Sequence, residues 1–229
     1  MGTQYNPAIV TGGLVLALDA ANIKSYPGSG STWFDLSGRG NHATLFNTPT
    51  FANRRALFDG TNQYAEIAYN ATNFTFSYEQ TIMIVLSPTE SDGLRRNPYN
   101  QSYGGSGTWT HEPSGAINFY YGQNATGVDG TPYTNYSSSA VSQNETAVMC
   151  TVRSAAGNFR KWFKNGVNTY TENNVVYNPV SNSTSPIKIG NGYAGYYMGY
   201  IDLVLLYNTS LTNSQVAQNF NALRGRYNI

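Results

Sequence analysis

Between Gly199 and Tyr207 the chain runs Tyr-Ile-Asp-Leu-Val-Leu-Leu-Tyr, apolar on both faces of a two-residue period. β-Branched and aromatic residues dominate, so the stretch predicts a strand covered on both sides and central in its sheet. Strict alternation sets Ile201, Leu203, Leu205 and Tyr207 on one face and Tyr200, Val204 and Leu206 on the other. One acid, Asp202, interrupts the run. A carboxylate there is exposed at an end, hydrogen-bonded, or holding a metal.

The same reading gives strands over residues 13–19, 55–59, 64–67, 74–86, 116–121, 146–153, 159–164, 167–171 and 186–190. Gly60-Thr61-Asn62 predicts a hairpin joining 55–59 to 64–67. Asn165-Gly166 predicts a two-residue hairpin between 159–164 and 167–171. Residues 23–50, 88–114 and 122–145 read as long turn-rich loops, the first anchored by Trp33 and Phe34. After Tyr207 the period changes. Thr212-Asn213-Ser214-Gln215 is a capping box, Val216, Phe220 and Leu223 share a helical face, and Gly225 is placed to end the helix. Many short strands with turn signals and one terminal helix predict an all-β, two-sheet antiparallel sandwich capped by a short C-terminal helix. Residues 1–12 read as an N-terminal arm and possible attachment segment before one domain over 13–229.

Composition narrows the function. The 229 residues carry a net charge of +1 and only 11% charged side chains, without a basic patch, which argues against nucleic acid as a partner. Polarity comes instead from Asn, Ser, Thr and 19 Tyr, suited to surfaces that stack and hydrogen-bond. The single cysteine, Cys150, sits in an apolar run and reads as core. No secretory signal is visible at the start, and the longest apolar run, 81–86, is too short to span a membrane.

In order along the chain stand Leu18-Asp19-Ala20-Ala21-Asn22, Trp33-Phe34-Asp35-Leu36-Ser37-Gly38, Leu57-Phe58-Asp59-Gly60, Trp162-Phe163-Lys164-Asn165-Gly166, and the 199–207 strand followed by Leu211-Thr212-Asn213-Ser214-Gln215. This series resembles the concanavalin A-like jelly rolls, and within them the laminin-G-like domains. The N-terminal combination is similar to that of tailed-phage virion proteins. The resemblance implies a non-enzymatic bacteriophage virion structural protein: a capsid decoration, head fibre or tail fibre. Such a protein would sit at the virion surface, bound to other virion proteins, in a homo-oligomer or on a lattice, with possible adhesion to host-surface glycans. A free-standing bacterial carbohydrate-binding module or lectin is the alternative. A glycoside hydrolase is a third reading, but no acid pair has the spacing that chemistry needs. Where relatives carry charge, this chain has Leu203 and Leu205, so that face must be covered by the chain itself or by a neighbour.

Lectin sites of this fold use aromatics on loops at the sandwich edge or on a sheet face. The resemblance therefore makes Tyr99, Tyr103, Trp109, Tyr133 and Tyr136, with His111 beside Trp109, the glycan-binding candidates. For Trp109 the competing role is packing on the sheet or against another subunit. Related sandwiches often hold one structural Ca²⁺, which points to Asp202 with Asp19 nearby. The competing role for Asp202 is capping backbone amides or pairing with an Arg. Asp35 and Asp59 read as turn formers.

Overall fold

The computed structural model describes residues 8–76, 78–90, 92–101, 106–122, 133–173 and 183–229, with backbone alone for 133–137. Two antiparallel sheets form a sandwich, each of eight strands among the described residues. The first sheet runs β14 (Val167–Asn173), β13 (Phe159–Lys164), β12 (Ala147–Ser154), β7 (Glu79–Pro88), β16 (Met198–Tyr207), β5 (Arg55–Asp59) and β4 (Thr50–Ala52). Strand β1 (Leu14–Asp19) also pairs with β16. The second sheet runs β11 (Tyr133–Ser137), β10 (Ile117–Gly122), β9 (Thr108–His111), β8 (Arg96–Asn100), β15 (Ile187–Ile189), β6 (Tyr64–Ile67), β3 (Ala43–Phe46) and β2 (Thr32–Trp33). Helix α1 (Asn213–Tyr227) follows β16. The all-β sandwich with one C-terminal helix is as expected from the sequence.

The inner core lies between the sheets, where Trp33, Phe58, Ile84, Trp109, Phe119 and Trp162 are fully buried. A second apolar layer covers the far face of the first sheet. There Met83, Val85, Leu203, Leu205 and Tyr207 meet Leu211, Val216 and Leu223. Ile9 and Val10 pack on the same layer. The chain therefore covers Leu203 and Leu205 itself. Three polar bonds seat residues 8–10 there: Val10 N donates to Asn219 Oδ1, Tyr207 OH to Val10 O, and Gln218 Nε2 to Ala8 O. Residues 1–7 of the expected arm lie outside the described residues.

The capping box forms as read: Gln215 N donates to Thr212 Oγ1 and Thr212 N to Gln215 Oε1. The helix does not stop at Gly225. It runs to Tyr227 and ends at Asn228, whose left-handed backbone (φ 55, ψ 45) supplies the cap. The Asn165-Gly166 hairpin is also as expected, with φ of 50 and 76 matching a type I′ turn.

Four further expectations change. Strand β16 carries a bulge: Ile201 opposes Leu86 and Leu203 opposes Val85, so Asp202 is the extra residue. One inserted residue flips the parity. Ile201 consequently joins Val204 and Leu206 in the inner core, and not Leu203. Second, β5 and β6 do not form a hairpin. They belong to different sheets, and the turn between them carries the chain across the sandwich. Asp59 Oδ1 folds that turn by accepting from the N–H groups of Thr61, Asn62 and Gln63. Third, the strand read over 74–86 is β7, which begins at Glu79, while Phe74 and Phe76 are core residues ahead of it. Fourth, the supposed loops contain β2, β3, β8, β9 and β11, and β4 begins at the last residue of the first loop. Within the first of them Trp33 is the core anchor, whereas Phe34 is 38% exposed. Asp35 folds this segment, accepting from Ala17 N, Ser37 N, Ser37 Oγ and Asn41 N.

Candidate functional site

In the second sheet the strands alternate. Ala43, Leu45, Ala65, Ile67, Ile187, Ile189 and Phe119 point into the core. Their neighbours Thr44, Phe46, Tyr64, Glu66, Lys188, Asn118 and Tyr120 therefore lie on the outer face. Cross-strand register brings Phe46 opposite Tyr64, and the rings stack at 4.6 Å and 4°. Lys188 sits 5.5 Å from the Tyr64 centroid and 3.9 Å from Glu66. Tyr196 continues the aromatic row, 6.2 Å from Tyr64.

Tyr196 and Tyr193 belong to a turn, 190–197, that crosses this face rather than leaving it. Buried Asn97 holds it there. Its Nδ2 lies within hydrogen-bond distance of Trp109 O (2.8 Å), Thr110 Oγ1 (3.1 Å) and Thr108 Oγ1 (3.2 Å). Its Oδ1 accepts from Ala194 N at 2.6 Å, and its own N–H donates to Gly195 O at 3.3 Å. The approach is so close that a Cβ on residue 192 would lie 2.6 Å from Asn97 Cγ, so Gly is required there.

The turn delivers Tyr193 to a polar cluster. Arg95 binds Glu112 in a two-pronged pair, Nε to Oε2 at 2.9 Å and Nη2 to Oε1 at 3.0 Å. Arg95 Nη2 also lies within hydrogen-bond distance of Tyr193 OH (2.9 Å) and Tyr120 OH (3.0 Å). Asn118 Nδ2 donates to Glu112 Oε1 and Tyr120 OH. The pair with Glu112 raises the pKa of Arg95 above its usual range, so the guanidinium is a fixed cation. Burial, reinforced by Glu112, raises the Tyr120 phenol. Although these groups bind one another, the surface is open: Tyr193 is 46% exposed and the Arg95 side chain 42%. Between Gly60, Arg95, Arg96 and Tyr193–Tyr196 lies a groove of about 690 Å³. Flat rings at the rim and a fixed guanidinium, with the Glu112 carboxylate and Asn118 amide in the adjoining cluster, can stack on a sugar ring and hydrogen-bond its hydroxyls.

The residues expected from sequence fall elsewhere. Tyr99 and Trp109 face each other across β8 and β9 and are completely buried in the inner core. A ring with no exposed surface cannot stack on a ligand, so neither serves as a platform. Trp109 packs on the sheet because the segment is a strand and alternation turns the indole inward; Trp162 meets it at 4.8 Å. His111 is 8% exposed, its Nε2 3.3 Å from Val141 O, and burial lowers its pKa, keeping the ring neutral. Tyr103 and the side chains of Tyr133 and Tyr136 lie outside the described residues. Sequence reading missed Tyr193, Tyr196, Arg95 and Glu112. The available signal was Gly192-Tyr193-Ala194-Gly195-Tyr196, tyrosines presented between turn glycines.

Asp202 sits at the bulge of β16, where the partner strand changes from β5 to β1. Its Oδ1 accepts from Ala56 N (3.1 Å), its Oδ2 from Arg55 Nε (2.9 Å), and its carbonyl from Ala20 N (2.8 Å). One residue thus stitches both strands to the same edge. Burial outweighs the Arg55 pairing and pushes the Asp202 pKa up to about 6. Asp19 accepts from Ala21 N and Tyr227 OH and pairs with Arg226. Each carboxylate therefore already carries a guanidinium. A divalent ion would have to displace both arginines, so the donor set does not fit the expected Ca²⁺. Among the described residues no group of three His, Cys, Asp or Glu side chains is placed to hold a metal.

The laminin-G-like model of the concanavalin A-like lectin/glucanase superfamily matches residues 59–217, more than half of the chain. The chain belongs to this superfamily. No curated protein matches its sequence. Among solved structures, this concanavalin A-like chain superposes on the botulinum neurotoxin serotype D binding domain with a TM-score of 0.71 at 10% identity, covering 92% of this chain and 52% of that one. A structure of botulinum neurotoxin type C, whose cell entry is dependent upon interaction with two ganglioside molecules, gives 0.69 at 12%, covering 92% and 51%. Trypanosoma rangeli sialidase gives 0.68 at 16%, covering 94% and 33%. The chain spans about half the length of the toxin domains and a third of the sialidase. At these identities the likeness is one of fold.

Proposed function

We propose that this chain is a non-enzymatic glycan-binding domain, and that the outer face of the second sheet is its recognition surface. The observation that carries the reading is the Tyr193 turn: a fully buried Asn97 network spends its bonds holding an exposed, Arg-anchored tyrosine on a sheet face. Core stability does not call for that arrangement, whereas a preorganised binding platform does. Ganglioside binding named for a toxin neighbour is consistent with this use of the fold. The acids beside the groove, Glu112 and Asp92, are each bound by an arginine, which leaves no free carboxyl pair there for glycoside hydrolysis.

The finer reading is display on a tailed-phage virion, as capsid decoration, head fibre or tail fibre. Its support is the sequence resemblance together with geometry. Residues 8–10 enter against α1, on the far side of the first sheet, so an attachment made there would leave the tyrosine face pointing outward.

A glycan array probed with wild type, Tyr193→Ala and Arg95→Ala decides the first reading. Wild type is expected to bind a restricted glycan set that both variants lose. Absence of any bound glycan, or variants that bind as wild type does, would overturn it. Mass spectrometry of purified virions tests display independently.

A further inference from the structure

A second groove, of about 580 Å³, opens at one end of the sandwich, lined by Ala20, Asn22, Tyr26, Phe51, Asn53 and Arg54 among others. We infer that it binds a carboxylate-bearing sugar, a single uronic-acid residue of an acidic polysaccharide, with Arg54 as its anchor.

The floor is a rigid aromatic ladder. Tyr26 stacks on Phe51 at 3.8 Å and 22°, and Phe51 meets Trp33 edge-on at 5.3 Å. The Tyr26 hydroxyl is tied to Gly30 O, which fixes the ring. Such a platform suits the apolar face of a pyranose. Asn22 and Asn53 supply amides beside it. The charges at this end are arranged unevenly. Asp19 and Asp202 are neutralised by Arg226 and Arg55, whereas Arg54 is exposed and makes no hydrogen bond or ion pair among the described residues. One surplus guanidinium matches one carboxylate, which it can grip with two parallel bonds.

The backbone at Arg54 points the same way. The β4–β5 connection is the two-residue turn Asn53-Arg54, with φ of 53 and 66. The β13–β14 connection has the same form but carries Gly at the second position. Glycine accepts this conformation freely and arginine does not. The turn therefore holds a costly side chain over the groove, where its guanidinium is uncommitted.

The test is titration of the full chain with tetragalacturonate, read by amide chemical shifts and calorimetry. Binding is expected, with shifts concentrated at residues 20–28 and 51–54, and Arg54→Gly should weaken it about tenfold or more while raising the melting temperature by relieving the turn. Arg54→Lys should recover only part of the affinity, because it keeps the charge without the fork. Tyr193→Ala should leave this affinity unchanged, which separates the groove from the outer face. The inference is overturned if wild type does not bind, if Arg54→Gly binds as wild type, if the neutral methyl-esterified oligomer binds equally, or if a sulfated oligosaccharide is preferred.

Discussion

The outer faces of the two sheets are built to opposite rules. Strands β7 and β16 of the first sheet are apolar on both sides, and their far side is sealed by α1 and by Ile9 and Val10. Strands β3, β6, β15 and β10 of the second sheet alternate, and their far side carries tyrosines, amides and paired charges under a turn pinned by Asn97. A sheet apolar on two faces needs a cover, and here the chain provides one. The alternating sheet is free to face a ligand. In a fold shared by many functions, this asymmetry is the ground for putting the proposed recognition surface on the second sheet.

The sharpest way to break the contrast is on the covered side. Leu223→Ala opens a cavity under α1 at a side chain 2% exposed, and should cost about 2–5 kcal/mol in urea unfolding while leaving glycan binding intact. Should it cost nothing, the helix would not be a structural cover. Next in size is Asn97→Ala, which strips partners from Trp109 O and Ala194 N. A loss of about 1–3 kcal/mol is expected, with faster amide exchange across 190–197 and loss of glycan binding although no exposed ring has changed.

Asp202 gives a pH signature in the first sheet. Its pKa moves from 3.8 to about 6, so the native state holds this proton more tightly than the unfolded chain does. Its contribution is fully present below pH 3.8 and is lost as pH rises through about 6, amounting to roughly 2–3 kcal/mol. Unfolding free energies of wild type and Asp202→Asn across that window should diverge with this sign; parallel curves would show that burial does not set the titration. The smallest stability effect belongs to Tyr193→Ala, within about 0.5 kcal/mol of wild type, because the ring is half in solvent. If it destabilises as much as Leu223→Ala, the tyrosine face is structural and the two sheets do not differ in role.

Much of the fold was legible in the residues. β5, β6 and β13 fall at their expected bounds, the capping box forms, and Asp35 and Asp59 fold turns. The site was not legible. Its members come from β10, from residues 95 and 112 beside β8 and β9, and from a turn some 80 residues further on, and no local period links them. Tyr99 and Trp109 are not surface aromatics for the reciprocal reason: short strands in polar surroundings read as loops in the sequence, while alternation along β8 and β9 buries both rings.

Local chemistry alone determined which segments extend, where the helix starts, and that the 199–207 strand would be covered on both faces, because periodicity and capping act over a few residues. Tertiary structure decided what crossed those distances. It placed β5 and β6 in different sheets, where each finds partners remote in sequence. It resolved Asp202 as a bulge between two strands on one edge, a role set by where β1 and β5 end. And it brought Tyr193 to Arg95, since only the packed sheet supplies the buried Asn97 that holds the turn in place.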